Sequence, residues 1–188
     1  MPDTDRRARI LDAAASRFAE DGFDATGTAA IATQARVPKG LLFYYFPRKV
    51  DILRALLDER LPDPPLCRPA DVVRRGDPRG SLLRLAQRVG LDRHESVVLR
   101  TIVFREVGTH PEVREHLHRL REGMLELTES VLDAAVEHVL DPVLRRQAAH
   151  TFVAVLLDDA NTRRYDGVGP DVDGAARVVS AAVAGPVS

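Results

Sequence analysis

The stretch TGTAAIATQARVPKGLLFYYFPRK, residues 26–49, decides how the N-terminal part of the chain folds. Two short segments in it, at about 28–35 and 40–46, carry apolar residues at helical spacing. The turn RVPKG between them breaks this periodicity, and Pro47 ends the second segment. Two short helices joined by a tight turn can present the second helix to the major groove of DNA. The stretch therefore predicts a helix-turn-helix.

The charges and aromatic rings of the same stretch indicate a nucleic-acid surface. From Arg36 to Lys49 there are four cations and no acid, although the whole chain has a formal net charge of -1. Any contact with DNA must therefore come from this local patch. Four aromatic residues, at 43–46, interleave with the cations. Successive helical residues point in different directions, so we expect Phe43 and Phe46 in the core while a tyrosine hydroxyl reaches a phosphate.

The segments on either side complete a small helical domain. A helix is predicted at about 5–21, and Gly22 followed by Phe23 fits a left-handed end to it with a hydrophobic contact. Another helix is predicted at about 50–60. Lys49, near its start, can add its charge to exposed backbone amides and attract a phosphate. The predicted N-terminal domain spans residues 4–63, with its motif at about 27–46.

A proline-rich segment marks the boundary of this domain, because four prolines fall between Pro62 and Pro69. Helices are predicted beyond it at about 81–91, 94–107, 111–140, 142–164 and 172–184. Sustained strand alternation is absent from the sequence. The expected fold class is therefore all-α, a three-helix helix-turn-helix domain followed by a helical bundle at 70–188.

The later helices carry the apolar surface of the bundle. In the helix from Pro111 a stripe at spacings of four and three predicts a bundle core; it comprises Val113, Leu117, Leu120, Met124, Leu127 and Val131. The run FVAVLL, residues 152–157, is apolar on all sides, and the last helix is rich in Ala and Val. These two helices are expected to join two subunits, with Val179 and Val183 in the seam of a homodimer.

Several other classes of protein are disfavoured. The single Cys67 cannot form an intramolecular disulfide, no apolar stretch reaches 18 residues, and the start lacks the apolar run of a signal peptide. We therefore expect a cytoplasmic protein without a membrane partner. His116 and His118 point in different directions on a helix and cannot share a metal, while His110 and His138 have no obvious partner. No catalytic motif occurs, so neither an enzyme, a cofactor nor a metal is expected.

Residues 5–60 closely resemble the TetR family of regulators. The resemblance rests on ARILDAAASRFAEDGFDATGTAAIA, then VPKGLLFYYFPRK, then LRALL, in the order and spacing of the family. It implies that Lys39 and Gly40 begin the recognition helix and approach the bases. It also implies that Tyr44, Tyr45 and Thr28 contact phosphates. The rest of the chain is similar to the family in helical plan, which implies a C-terminal ligand-binding and dimerisation domain.

The sequence departs from the family pattern at several positions of the motif. Phe43 replaces a common tyrosine, Pro38 replaces a common capping serine, and Leu41 replaces a frequent small polar residue. Ala29 offers no base contact where some members have arginine. Few side chains are therefore left to read bases directly, and DNA shape and backbone contacts are expected to carry more of the specificity.

An apolar cavity is expected inside the C-terminal bundle, near Val103, Phe104, Met124 and Phe152. Met and Phe side chains suit an adaptable pocket wall. The family resemblance implies a repressor that an apolar small-molecule effector releases from its double-stranded DNA operator. Polar residues within apolar stretches, such as Arg100 and Arg105, are open to either a pocket or a surface role.

Two alternatives keep the same fold. In the first, the bundle serves only to dimerise a ligand-independent DNA-binding factor, which a fully packed C-terminal core would support. In the second, the bundle holds an active site and the DNA-binding module is accessory, which a pocket with a metal or a paired acid and base would support.

Overall fold

A computed structural model of the chain describes residues 3–60, 66–90, 101–102, 105–166 and 169–184. These residues are helical and contain no β-strand, so the all-α prediction is confirmed. Eight α-helices have defined bounds: α1 (Asp3–Asp21), α2 (Thr28–Gln34), α3 (Lys39–Tyr45), α4 (Lys49–Arg60), α5 (Pro78–Val89), α6 (Pro111–Ala135), α7 (Pro142–Asp166) and α8 (Val172–Val183). Of the helix predicted at about 94–107, residues 101–102 and 105–106 are helical, residue 107 lies in a turn, and residues 94–100 and 103–104 lie outside the described residues.

The end of α1 has the predicted left-handed cap. Gly22 has φ +87°, and its N–H donates to the Phe18 carbonyl at 3.0 Å. The rings of Phe18 and Phe23 pack with their centroids 5.1 Å apart. Glycine adopts this φ without the steric cost that a side chain would bring. The cap therefore turns the chain sharply toward α2.

Helix α6 is shorter than the sequence predicts. It ends at Ala135 instead of about residue 140. The N–H of Gly76 donates to the Ala135 carbonyl at 2.8 Å, so a neighbouring segment satisfies one of the free carbonyls at this helix end. Val136 and Leu140 are still buried, although they follow the helix. The apolar pattern of the sequence therefore continues past the helix, because it follows the buried side chains and not the end of the helix.

The chain divides into two compact units, each with its own hydrophobic core. Met1–Pro62 and His94–Leu117 form the first unit, and Asp63–Arg93 and His118–Ser188 form the second. The first core comprises residues of α1–α4 together with Ile102 and Val113. Residues of α5–α8 build the second core. These units differ from the predicted domains at 4–63 and 70–188, because residues 94–117 group with the N-terminal helices.

The predicted apolar stripe of α6 is buried, but it serves both cores. Val113 belongs to the first core and Leu117 packs against it, whereas the positions from Leu120 to Val131 belong to the second. A single helix therefore supplies apolar side chains to two cores. The stripe marks the buried face of the helix without marking where one core ends.

The prediction that Val179 and Val183 lie in a seam between subunits is wrong. Both side chains are buried in the core of the second unit. The four-residue spacing places them on one face of α8, which packs inward. Val178 is turned about 100° around the helix from Val179 and is 65% exposed.

Candidate nucleic-acid interface

The helix-turn-helix consists of α2, α3 and the four residues that join them. Two backbone hydrogen bonds close the turn, from the Arg36 N–H to the Thr33 carbonyl (3.1 Å) and from the Val37 N–H to the Ala32 carbonyl (3.0 Å). Ala32 on α2 and Leu42 on α3 are buried in the first core. The core therefore fixes the inner sides of both helices and leaves the outer side of α3 accessible.

The outer side of α3 is a recognition face formed by Lys39, Gly40, Phe43 and Tyr44. Lys39 and Gly40 are exposed in the first turn, and Tyr44 is 74% exposed. The Lys39 ammonium lies 5.7 Å from the centre of the Phe43 ring. A Cβ atom at Gly40 would meet no heavy atom within 4 Å. Packing within the protein therefore does not require glycine there, and the bare backbone is open to another molecule.

Two other residues with predicted phosphate contacts are half-buried. Thr28 is half-buried as the first residue of α2. Tyr45 is half-buried against the first core, with its ring centroid 5.3 Å from that of Tyr44 and 6.5 Å from that of Phe46. Their contacts with DNA stay predictions, as do those of Lys39, Gly40 and Tyr44.

The expectation that both phenylalanines of the motif enter the core is half right. Phe46 is buried, but Phe43 is 40% exposed. Leu42 and Phe46, four residues apart, occupy the inner side of the helix, so Phe43 is turned outward. Pro38 precedes α3 without a side-chain hydrogen bond to the helix, in agreement with the missing capping serine.

Lys49 lies at the start of α4 and points at the turn between α1 and α2. Its ammonium donates to the carbonyls of Phe23 (2.7 Å), Thr26 (3.1 Å) and Asp24 (3.2 Å). It also lies 4.3 Å from the centre of the Phe23 ring. These contacts occupy all the donors of an ammonium group. A phosphate contact by Lys49 stays a prediction, and it would require at least one of these hydrogen bonds to be exchanged.

Arg48, next to Lys49, is held within the protein by Asp51. The guanidinium donates to the Asp51 carboxylate at 2.7 Å, and the Arg48 backbone N–H donates to the same side chain at 3.0 Å. The side-chain hydrogen bond from Arg48 lowers the pKa of Asp51 and raises that of Arg48. Arg48 is thus paired with a neighbouring acid, so its charge is partly neutralised.

Most positive charge in the described segment 3–60 is satisfied internally. The segment has ten Lys and Arg residues, and seven of their side chains form ion pairs or hydrogen bonds within the protein. Among the described residues, Arg6, Arg36 and Lys39 form neither. Arg36 and Lys39 bracket the end of the helix-turn-helix turn. The free charge of the motif is therefore concentrated just before and at the start of α3.

The turn between α1 and α2 is also held by a buried carboxylate that the sequence pattern did not reveal. Glu106 accepts the Phe23 N–H at 2.9 Å. His110 packs edge-on against the Phe23 ring, with centroids 4.4 Å apart, and its Nε2 lies 3.5 Å from Glu106 Oε2. The same Nε2 is 3.9 Å from Asp24 Oδ1. His110 therefore lies close to two carboxylates and the Phe23 ring, although its buried Nε2 forms no hydrogen bond.

Arg105 completes this arrangement at the end of α1. Its guanidinium donates to the carbonyls of Asp21 (3.1 Å) and Glu20 (3.4 Å). A cation is favourable there because the last carbonyls of a helix carry partial negative charge. Arg105 thus has a surface role rather than a pocket role. No local pattern identifies Arg105 or Glu106, because their partners lie more than 80 residues away in sequence.

The proposed ligand-binding residues have different outcomes. Met124 and Phe152 are both buried in the core of the second unit. Val103 and Phe104 lie outside the described residues. A cavity at these four residues stays a prediction.

Within the part of the chain that the structure describes, no group of three or more His, Cys, Asp or Glu residues is arranged to hold a metal ion. None of the described helices is long and apolar enough to cross a membrane.

Sequence comparison identifies relatives of this arrangement. Residues 10–56 match the sequence profile described as bacterial regulatory proteins, tetR family. The "Fatty acid metabolism regulator protein" of Bacillus subtilis (strain 168) is 26% identical over 147 residues, which cover 74% of this chain and 75% of the relative. The match extends well beyond the helix-turn-helix.

Solved structures share the fold of the whole chain. NalD of Pseudomonas aeruginosa, the secondary repressor of the MexAB-OprM multidrug efflux pump, superimposes with a TM-score of 0.66 at 22% identity, covering 97% of this chain and 96% of NalD. The multidrug binding protein EbrR, complexed with malachite green, gives a TM-score of 0.67 at 22% identity, covering 99% of this chain and 100% of EbrR. At these identities the likeness concerns the fold.

Proposed function

We propose that this chain, whose residues 10–56 match the tetR family of bacterial regulatory proteins, is a repressor of that family that an apolar small molecule releases from DNA. The recognition face of α3 carries the proposal. There, the exposed Lys39, Gly40 and Tyr44 are backed by the buried Leu42 and Phe46. The first turn of such a helix contacts base edges in the major groove. A cation and a tyrosine hydroxyl are suited to base and phosphate oxygens.

The proposed repressor is a homodimer that pairs through α7 and α8. Exposed apolar or small side chains on these helices support the pairing: Val143, Ala154, Val178, Ala181 and Ala182. A stable dimer typically buries about 1,600 Å² in total. Two-fold pairing would set the two recognition helices about one turn of DNA apart, roughly 34–36 Å, or a multiple of that distance. The operator would then be an inverted repeat.

Ligand binding is proposed to act by population shift. A ligand that binds better to a dimer whose recognition helices do not match successive major grooves lowers DNA affinity. An apolar ligand suits the core of the second unit, where Met124 and Phe152 are buried. The names of the relatives, a fatty acid metabolism regulator and a multidrug binding protein, agree with this ligand class. The proposal places the protein in the cytoplasm and includes no enzymatic step, cofactor or metal.

The proposal is tested by selecting DNA. The purified protein is mixed with random genomic fragments, the retained fragments are sequenced, and apolar compounds are then screened for release of a selected duplex. We expect one enriched inverted repeat. The Lys39→Ala variant should bind the selected duplex more weakly than wild type, by about 1–3 kcal/mol in binding free energy. Arg75→Ala, which removes an exposed cation from the second unit, is the charge-matched control.

Three outcomes would count against parts of the proposal. Failure to enrich any sequence contradicts specific DNA binding. An equal decrease of affinity in both variants contradicts the role of the recognition face. Enrichment without release by any compound class would favour the ligand-independent factor over the ligand-released repressor.

A further inference from the structure

We propose that Arg36, the residue in the helix-turn-helix turn that adopts a left-handed backbone conformation, contacts a DNA phosphate and adds to the predicted binding residues. The inference rests on the proposed function, since it requires DNA at the recognition face. It concerns a residue that lies outside α3 and precedes Lys39 by three positions. Four observations support it: the backbone conformation, the anchoring of the turn, the state of the guanidinium and its place beside α3.

The backbone conformation at Arg36 is unfavourable for its residue type. Its φ is +54°, and among the described residues it is the only non-glycine residue with positive φ. A side chain in this region crowds the backbone because Cβ approaches a carbonyl oxygen, and glycine avoids that contact. The turn therefore carries arginine at a position where glycine would be less strained.

Hydrogen bonds fix the backbone on both sides of Arg36. The Arg9 guanidinium, from α1, donates to the carbonyls of Ala35 and Arg36, the latter at 3.0 Å. The Arg36 N–H donates to the Thr33 carbonyl at 3.1 Å. Because its backbone is held from two elements, the Arg36 side chain leaves the turn from a defined point. Binding a ligand then restricts less conformational freedom than it would in a mobile turn.

The Arg36 guanidinium is available to an anion. The residue is exposed, and its side chain forms no hydrogen bond or ion pair within the described segment 3–60. Most other cations of that segment are neutralised or held internally, Arg48 by Asp51 and Lys49 by three carbonyls among them. An unpaired guanidinium can donate two parallel hydrogen bonds to one phosphate.

The place of Arg36 suits a phosphate rather than a base. In a helix-turn-helix the first residues of the recognition helix enter the groove, so the turn that precedes them lies near the sugar-phosphate edge. Arg36 lies within that turn, Lys39 follows it at the start of α3, and no acid occurs in sequence from Arg36 to Lys49. Asp5 and Asp12 of α1 line the same surface depression as Arg36, and Asp12 is paired with Arg60. Arg36 therefore supplies affinity and register, while residues of the recognition face supply sequence preference.

The test measures stability and DNA binding in the same variants. Arg36→Gly removes the side chain and its steric cost, and should raise Tm by about 2–4 °C. It should also lower affinity for the selected duplex about five- to tenfold, and reduce the slope of log K against log salt by about one for each phosphate that the protein no longer neutralises. Arg36→Asn is the matched neutral control because Asn tolerates positive φ. Arg36→Lys retains the charge.

Affinity and salt slope that fall in Arg36→Gly and Arg36→Asn, and largely recover in Arg36→Lys, support the phosphate contact. The inference is overturned if both neutral variants bind with unchanged affinity and slope. It is also overturned if affinity falls with an unchanged slope and without recovery in Arg36→Lys, because the side chain would then act only on the shape of the turn. A wild-type chain that binds no duplex at all would instead contradict the proposed function.

Discussion

At the residue scale, Lys49 illustrates how a side chain can match a family pattern and still have a second role. Its ammonium bonds to three carbonyls of the turn between α1 and α2 and packs on the Phe23 ring. The turn follows the left-handed Gly22, so its carbonyls have no helical partners. Lys49 therefore stabilises the link that precedes the helix-turn-helix, whether or not it also meets a phosphate.

Replacing Lys49 by methionine keeps most of the stem and removes the donors. We expect Lys49→Met to lower the free energy of unfolding by about 1–3 kcal/mol, since it removes hydrogen bonds from a charged group. Denaturant unfolding measures this change. Arg48→Met is the neighbouring control, because it removes only an exposed ion pair that solvent screens strongly, so its effect should be clearly smaller. Equal effects of the two substitutions would contradict the role of Lys49 in the turn.

Lys39, Gly40 and Tyr44 of the recognition face could be named from the family motif, and their contacts with DNA stay predictions, whereas Phe43 was expected in the core and is 40% exposed. Lys39, Gly40 and Tyr44 are exposed on one side of α3, as required for contact with DNA. The contacts of Lys49 and Glu106 could not be predicted in the same way. The carbonyls that Lys49 contacts precede it by 23 to 26 positions, and Glu106 follows its partner Phe23 by 83 positions. Only the folded chain brings these groups together. The positive φ of Arg36 could not be predicted from the sequence either, because the residue that usually indicates this conformation is glycine.

At the element scale, α1 and α4 are joined by two ion pairs across the first unit. The Arg7 guanidinium donates to Glu59 at 2.6 Å, and that of Arg60 donates to Asp12 at 2.8 Å. The hydrogen bond from Arg7 lowers the pKa of Glu59. A lowered pKa means that the pair stabilises the folded state above the ordinary pKa of glutamate. This contribution disappears as the pH falls through the lowered value.

A pH series on Glu59→Gln tests this link between the helices. Both side chains are partly exposed, so the decrease in unfolding free energy near neutral pH should stay below about 1 kcal/mol. The difference from wild type should shrink toward zero as the solution is acidified below the pKa of Glu59. Glu126→Gln, at an exposed position of α6, should have no comparable pH-dependent effect. A difference that grows in acid would contradict the assignment.

Helical elements could be predicted mainly where caps and prolines punctuate the sequence. Pro111 and Pro142 begin α6 and α7, and the Gly22 cap ends α1. The end of α6 was missed because the carbonyl of Ala135 is satisfied by Gly76, about 60 residues earlier in the chain. Apolar spacing continues past the end through Val136 and Leu140. The periodicity of apolar residues indicates which side chains are buried. It does not indicate where the helix ends, since there a hydrogen bond comes from a segment that is distant in sequence.

At the scale of the whole molecule, the proline-rich segment was a partial guide to organisation. A unit boundary falls at Pro62, as the prolines suggest, but residues 94–117 return to the first unit. Ile102 and Val113 contribute to its core, and Glu106 bonds to its turn. A linear reading assigns each segment to the domain nearest in sequence. It therefore cannot foresee a segment whose apolar and polar partners lie before the boundary.

The proposed dimer gives a prediction with a matched pair of adjacent valines. Val178→Glu places a charge on the exposed face of α8, where it would be unpaired in the subunit seam. The variant should fold and be monomeric by light scattering. Val179→Glu buries a charge in the core of the second unit and should cost several kcal/mol of stability. A folded Val178→Glu variant that remains dimeric would show that the seam lies elsewhere.

The recognition face of α3 is proposed to read DNA in a two-fold arrangement, and this is the central claim. Hydroxyl-radical footprinting of the selected duplex, with wild type and Lys39→Ala side by side, tests it most directly. We predict two protected half-sites related by two-fold symmetry, with centres one helical turn or a multiple of it apart. Protection should weaken in both half-sites for Lys39→Ala. A single asymmetric footprint, or a symmetric one that Lys39→Ala leaves unchanged, would contradict the claim.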